Sequence, residues 1–198
     1  MFPRSIVRRV LPLLAAALTL PRATARAEVA AVPLELQVEL TVKLLEYAQA
    51  PSPQAAPDGV MRIGIVVADD SLESQHAGTE LKVAFGRVGK IAGVLHEETV
   101  IQGSRPAAVA EQLKRGRFFA VYLTPGVGPD VLALAQALDG TSVITIAAIG
   151  SYVASGAILG FELTSGRPKM VLNLGQAKRQ GVVFRASVMK LMRFVDGP

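Results

Sequence analysis

The chain has no cysteine and no tryptophan, and only two histidines, His76 and His96. Without cysteine there can be no disulfide, no thiol nucleophile and no cysteine metal ligand. Lipid attachment at a cysteine is excluded too. Stability must come from packing and hydrogen bonding. The two imidazoles stand apart from each other, and each reads as a surface or internally satisfied histidine. The N-terminal apolar run, Val10 to Leu20, is about eleven residues, where roughly 20 are needed to span a bilayer.

What surrounds that run is specific. Arg4, Arg8 and Arg9 precede it, and the small-x-small triplet Ala25-Arg26-Ala27 follows it. This order reads as a secretory signal peptide over residues 1–27, cleaved after Ala27. The expected location is the periplasm, with no membrane span after cleavage. The first 27 residues hold five of the 21 Lys and Arg and no acid. The processed chain of about 171 residues then carries 16 basic and 16 acidic residues, so its charge is close to zero. That balance and export argue against nucleic acid as a partner.

The processed length suits one domain. "PLELQVELTVKLLEYAQ", residues 33–49, fits both a strand alternation and a helical stripe, and its Leu, Glu, Lys and Gln content predicts helix. Residues 28–59 read as this helix plus a Pro-rich linker, and 34–49 join 60–198 in one α/β unit. "VMRIGIVVA", 60–68, is a strand buried on both faces. A helix follows, with Asp70 and Glu73 at capping-box spacing. The pattern then predicts a strand over 90–100, a helix over 104–116 capped by Ser104, a strand over 118–124, a helix over 129–138 and a strand over 141–148. "AILGFEL" and "PKMVLNL" around "TSGR" predict a hairpin. The fold class is α/β: a layered αβα sandwich, its sheet largely parallel, with an antiparallel hairpin near the C-terminus.

Residues 166–195 carry seven cations and no acid. The reading is a solvated face, its charge balanced by acids elsewhere such as Glu35, Glu39, Glu46, Glu97 and Glu98. Asn173 predicts an N-cap, and Gly181 the left-handed end of a short helix. Ser187 opens a last helix, in which Val188, Leu191, Met192 and Val195 form an apolar stripe. Lys190 and Arg193 then point to solvent near its C-terminal end.

No catalytic cluster stands out, and the chain reads as a non-enzyme with no cofactor and no metal. Asp69-Asp70 resembles the acid pair of a phosphate-receiver domain. The aspartate such a domain needs after its third strand is replaced by Thr124-Pro125, and Pro168-Lys169 reverses its lysine–proline order. "TPGVGPD", 124–130, lacks the third glycine of a dinucleotide fingerprint, and "GRVGK", 86–90, is too short for a P-loop. No G-x-S-x-G elbow is present. Ligands of open α/β sheets favour the carboxyl ends of the strands. The candidate crevice there is Asp69, Asp70, Thr124, Pro125 and Gly126.

From "FELTSGRPKMVLNLGQAKRQGVVFRASVMKLMRFV" the chain resembles the YfiR, or DUF4154, family of bacterial periplasmic proteins. Leu172-Asn173-Leu174, Ala177, Gly181, Ser187 and the Val188-Leu191-Met192 face match the family's ending, and "IGIVVADD", "AVYLTPG" and "VITIAAIGSYVASGAILGFEL" match its strands in order. The resemblance covers roughly 38–196. It implies an exported α/β sandwich that binds the periplasmic sensor domain of an inner-membrane signalling protein, a diguanylate cyclase or sensor kinase. By holding that protein inactive it would lower cyclic di-GMP. A homodimer is also implied. Family members' cysteines are absent here, so a thiol switch is impossible, and "EYAQAPSP" at 46–53 replaces the family's aromatic segment. The competing expectation is a small-ligand module using the crevice.

Overall fold

The alternation of strand-like and helix-like segments folds into one sandwich. The computed structural model describes residues 30–52, 58–103 and 105–197. The signal segment and Ser104 lie outside the described residues. In chain order the elements are α1 (Leu34–Leu45), β1 (Ala48–Ala50), β2 (Val60–Val67), α2 (Leu72–Gly86), β3 (Leu95–Gln102), α3 (Pro106–Arg115) and β4 (Ala120–Leu123). A 3₁₀ turn over Gly128–Asp130 leads into α4 (Val131–Ala137), then β5 (Ile144–Ala147), α5 (Ser151–Ala154), β6 (Leu159–Thr164) and β7 (Arg167–Asn173). The chain closes with α6 (Leu174–Gln180), β8 (Val183–Phe184), α7 (Ala186–Met189) and β9 (Arg193–Val195).

The main sheet has seven strands in the order β3-β2-β4-β5-β6-β7-β9. All neighbours are parallel except β6 and β7, which form the expected hairpin. Strand β2 sits between the next two strands of the chain, β3 and β4. The connection therefore reverses direction at β2, and the carboxyl ends of β2 and β4 form the switch point of a doubly wound sheet.

Side-chain alternation divides the core between the two faces. Met61, Ile63, Ile65 and Val67 of β2 pack with Val38 and Leu45 of α1 and Leu81 and Phe85 of α2. Val66, Val121 and Leu123 face the other way, against Val109 and Leu113 of α3 and Leu134 of α4. Strands β2, β4 and β5 are buried on both sides, which is why they read as unbroken apolar runs. A second, two-stranded sheet pairs β1 antiparallel with β8, tying the segment after α1 to the C-terminal lobe.

Several local expectations are corrected. Helix α1 stops at Leu45, and Ala48–Ala50 leave it to pair with β8. The cap of α2 is Ser71, whose side chain accepts from the Ser74 N–H, so the Asp70–Glu73 box does not form. Strand β3 begins at Leu95, because Ile91 and Val94 close a turn on each other. Arg105 occupies the N-cap position of α3, with Pro106 opening the helix. The last helix is only Ala186–Met189, with Ser187 inside it rather than capping it, and Val195 lies in β9 beside β7.

Candidate functional site

The five crevice residues lie around the switch point, and the structure gives them different work. Thr124 is fully buried and holds the end of a hydroxyl relay. The Ala68 N–H donates to Ser74 Oγ at 2.8 Å, and Ser74 Oγ lies 2.6 Å from Thr124 Oγ1. Thr124 Oγ1 donates to the Val66 carbonyl at 2.9 Å, so the proton between the hydroxyls belongs to Ser74. Each polar group is satisfied within the chain.

Gly126 has φ +93°, a conformation that favours glycine, and a Cβ there would come 3.3 Å from Ser71 Oγ. Its N–H donates to the Tyr152 hydroxyl at 3.0 Å. Asp69 and Asp70 are exposed in the turn before α2. Asp69 lines a cleft with Gln102, Arg105 and Gln112 on the α3 side. Pro125 lines another, of about 250 Å³, with Ala30, Val32, Glu73, His76 and Glu80 beside α1 and α2. The residues therefore share an edge while opening onto two clefts. A ligand at the switch point would have to use the aspartates, since the Thr124 hydroxyl and the Gly126 N–H are engaged.

Behind this edge, the buried Gln37 of α1 fixes the helix to the sheet. Its Nε2 donates to the Val32 carbonyl at 2.8 Å and the Ala148 carbonyl at 3.2 Å, and its Oε1 accepts from the Tyr122 hydroxyl. Burial pushes the Tyr122 phenol well above its ordinary range, so it stays a donor. Glu80 is also raised, first by burial and then by the nearby Glu35 carboxylate.

His96 is a satisfied core histidine, with Nδ1 2.5 Å from Glu98 Oε1 and Nε2 2.8 Å from the Val88 carbonyl. His76 is exposed on α2. Among the described residues, no group of three or more His, Asp or Glu could hold a metal ion, and no helix is long and apolar enough to cross a membrane.

Of the C-terminal motif residues, Asn173, Ala177 and Gly181 shape the chain locally. Asn173 Oδ1 accepts from the Gln176 N–H at 2.9 Å, and its Nδ2 donates to the Val153 carbonyl at 3.1 Å. Ala177 is fully buried, and Gly181 ends α6 at φ +75°. The cations of this lobe are not balanced by the acids expected. Arg193 forms a two-pronged pair with Glu162 at 2.6 and 2.7 Å, while Glu97 binds Arg62 and Glu98 holds His96. Arg185 lies over the Tyr47 ring, 5.9 Å from its centroid. Tyr47 and Leu191, the latter 62% exposed, line one surface cleft with Ser187 and Val188. Composition does not reveal this cleft. It forms because β1 and β8 pair, and that pairing brings position 47 to the last lobe.

Comparison with solved structures shows the same fold in α/β binding proteins. One is the ligand-free, open form of a substrate-binding protein with adhesive properties from Clostridium difficile. It aligns with a TM-score of 0.59 at 14% identity over 84% of this chain and 61% of that one. Another is the ABC domain in complex with L-Trp from Streptococcus pneumonia, with a TM-score of 0.52 at 14% identity over 82% and 62% of the two chains. The chain thus spans about three fifths of each neighbour, and the likeness is one of fold. No curated protein matches it in sequence. The sequence model of the DUF4154 family, described as YfiR/HmsC-like, matches residues 34–193. With well over half its length matched, the chain belongs to the YfiR/HmsC-like family.

Proposed function

We propose that the protein is exported, loses its first 27 residues and regulates an inner-membrane signalling protein by binding that protein's periplasmic sensor domain. Family membership supports a periplasmic regulatory role in general. The observation that carries the specific reading is the C-terminal lobe. Tyr47, Val183, Leu191 and Phe194 there are 40–62% exposed, with Arg185 and Lys190 exposed among them. Exposed apolar side chains edged by charge mark interaction surfaces rather than catalytic ones. Binding one sensor state more tightly than the other would hold the partner inactive by population shift.

The test is a photo-crosslinking residue at Leu191 in intact cells, with a second at Leu72, which is 85% exposed on a different part of the surface. The expected adduct at position 191 is one inner-membrane protein with a cytoplasmic cyclase or kinase domain. Leu191→Glu, placed in a chain crosslinked from a neighbouring site, should remove the adduct and raise the partner's output. Adducts only between copies of this chain would sink the regulator reading. An adduct at 72 and none at 191 would keep a partner but reject this face.

A further inference from the structure

At the amino-terminal edge of the sheet, opposite the switch point, a cavity of about 280 Å³ opens between β2, β4 and the segment before β5. Its apolar wall includes Leu113, Phe118, Phe119 and Val143. Arg62, Lys114 and Arg117 line it, and among the described residues no acid does. Two of the three cations are already engaged. Arg62 is paired with Asp58 and Glu97, and Lys114 lies 3.3 Å from Glu111. The Arg117 side chain has no hydrogen-bond or ion-pair partner among the described residues.

Arg117 also sits where glycine is expected. Helix α3 ends with the Phe118 N–H on the Leu113 carbonyl at 3.0 Å, which puts Arg117 in the left-handed position at φ +52°. A side chain there costs about 1–2 kcal/mol relative to ordinary backbone. Ser142, which also lines the cavity, has φ +62°. Backbone strain at two residues lining one cavity is a signal of function when other chemistry agrees. Here it does. The strained position carries a free guanidinium, whose planar fork matches a carboxylate, at a pocket whose lining includes Phe118 and Phe119.

We infer that this cavity binds a small organic carboxylate with a flat apolar body, its carboxylate on Arg117 and its body against Phe118 and Phe119. A single unpartnered guanidinium fits one negative charge better than a polyphosphate. The inference is independent of the regulator reading, and the site is distinct from the switch-point crevice.

The test is ¹⁹F NMR titration of the purified protein with 4-fluorophenylacetate, using 4-fluorobenzyl alcohol as the neutral control. A Kd on the order of 1 mM or tighter is expected, with the alcohol roughly tenfold weaker because it lacks the charge-assisted bond. Arg117→Gly removes the guanidinium while suiting the left-handed backbone, so its urea midpoint should rise slightly and it should bind roughly tenfold more weakly. Arg117→Asn, also tolerated at that φ, is the second variant and should behave the same way. Equal affinity for the alcohol, unchanged affinity in both variants, or no binding at about ten times that concentration would each overturn the inference.

Discussion

The two edges of the sheet look alike on a topology diagram and differ in how their polar groups are spent. At the carboxyl edge, where doubly wound proteins keep their ligands, the Ser74 and Thr124 hydroxyls and the Gly126 N–H are committed to the chain itself. At the amino edge, a free guanidinium and two strained residues surround an open cavity. A switch point is a place where strands diverge. Whether it is a binding site depends on whether its donors and acceptors are left over.

The largest expected effect tests how firmly the carboxyl edge is locked. Gln37→Ala removes three hydrogen bonds and leaves the Tyr122 hydroxyl and two carbonyls buried without their partner. It should cost about 3–4 kcal/mol of unfolding free energy, since each stranded group carries a desolvation penalty. Urea denaturation measures it. A loss under about 1 kcal/mol would mean that water reaches this edge and that the crevice is open after all.

Ser74→Ala comes next. It strands the Ala68 N–H and takes one donor from Thr124, so about 1–3 kcal/mol should be lost. The same variant sharpens the ligand question at the switch point. If the crevice binds nothing, adding small metabolites will not restore the lost stability. Restoration by one of them would return the crevice to the list of sites.

Arg117→Gly should move stability by about 1 kcal/mol or less, and upward, because relieved backbone strain outweighs the added freedom of the unfolded chain. Opposite signs for the two variants, a loss at Ser74 and a gain at Arg117, are what the comparison of edges requires. A loss of more than about 1 kcal/mol at Arg117 would show that its side chain holds the fold together rather than waiting for a ligand.

Much of this was legible in the sequence, for reasons that also explain the failures. The strands buried on both faces announce themselves as apolar runs, and α6 is written in local chemistry, from the Asn173 cap to the Gly181 stop. The order of α/β elements was enough to place Asp69 and Thr124 at one edge. The same local logic misled at the C-terminus. Val188, Leu191, Met192 and Val195 have helical spacing, but the chain instead pairs Arg193–Val195 with Val171–Asn173 and locks Arg193 onto Glu162. Those partners are distant in sequence, so no window around the stripe contains them. The amino-edge cavity was invisible for the same reason, since Pro51, Arg62, Arg117 and Ser142 meet only after folding. At the carboxyl edge the position of Thr124 was legible and its engagement was not, because Ser74, the group that occupies it, carries no motif.

The smallest effect separates the edges by pH. At the carboxyl edge Glu80 has its carboxyl raised, by burial and then by Glu35. Its folded form holds a proton to higher pH than its unfolded form. The stability it contributes is therefore present in acid and lost as pH rises through the raised value. At the amino edge Asp58 is lowered, chiefly by the hydrogen bond from Arg62 and then by the Val60 N–H. Its contribution is present above the ordinary aspartate range and lost as pH falls through the lowered value. Glu80→Gln should thus be slightly more stable than wild type at neutral pH, with the gain vanishing in acid. Asp58→Asn should be slightly less stable at neutral pH, with the loss vanishing in acid. Both groups are close to solvent, so both differences will be small and will shrink with salt. Urea midpoints of the two variants across an acid-to-neutral series decide it. If the two curves bend the same way, burial and the nearby Glu35 carboxylate do not hold Glu80 up.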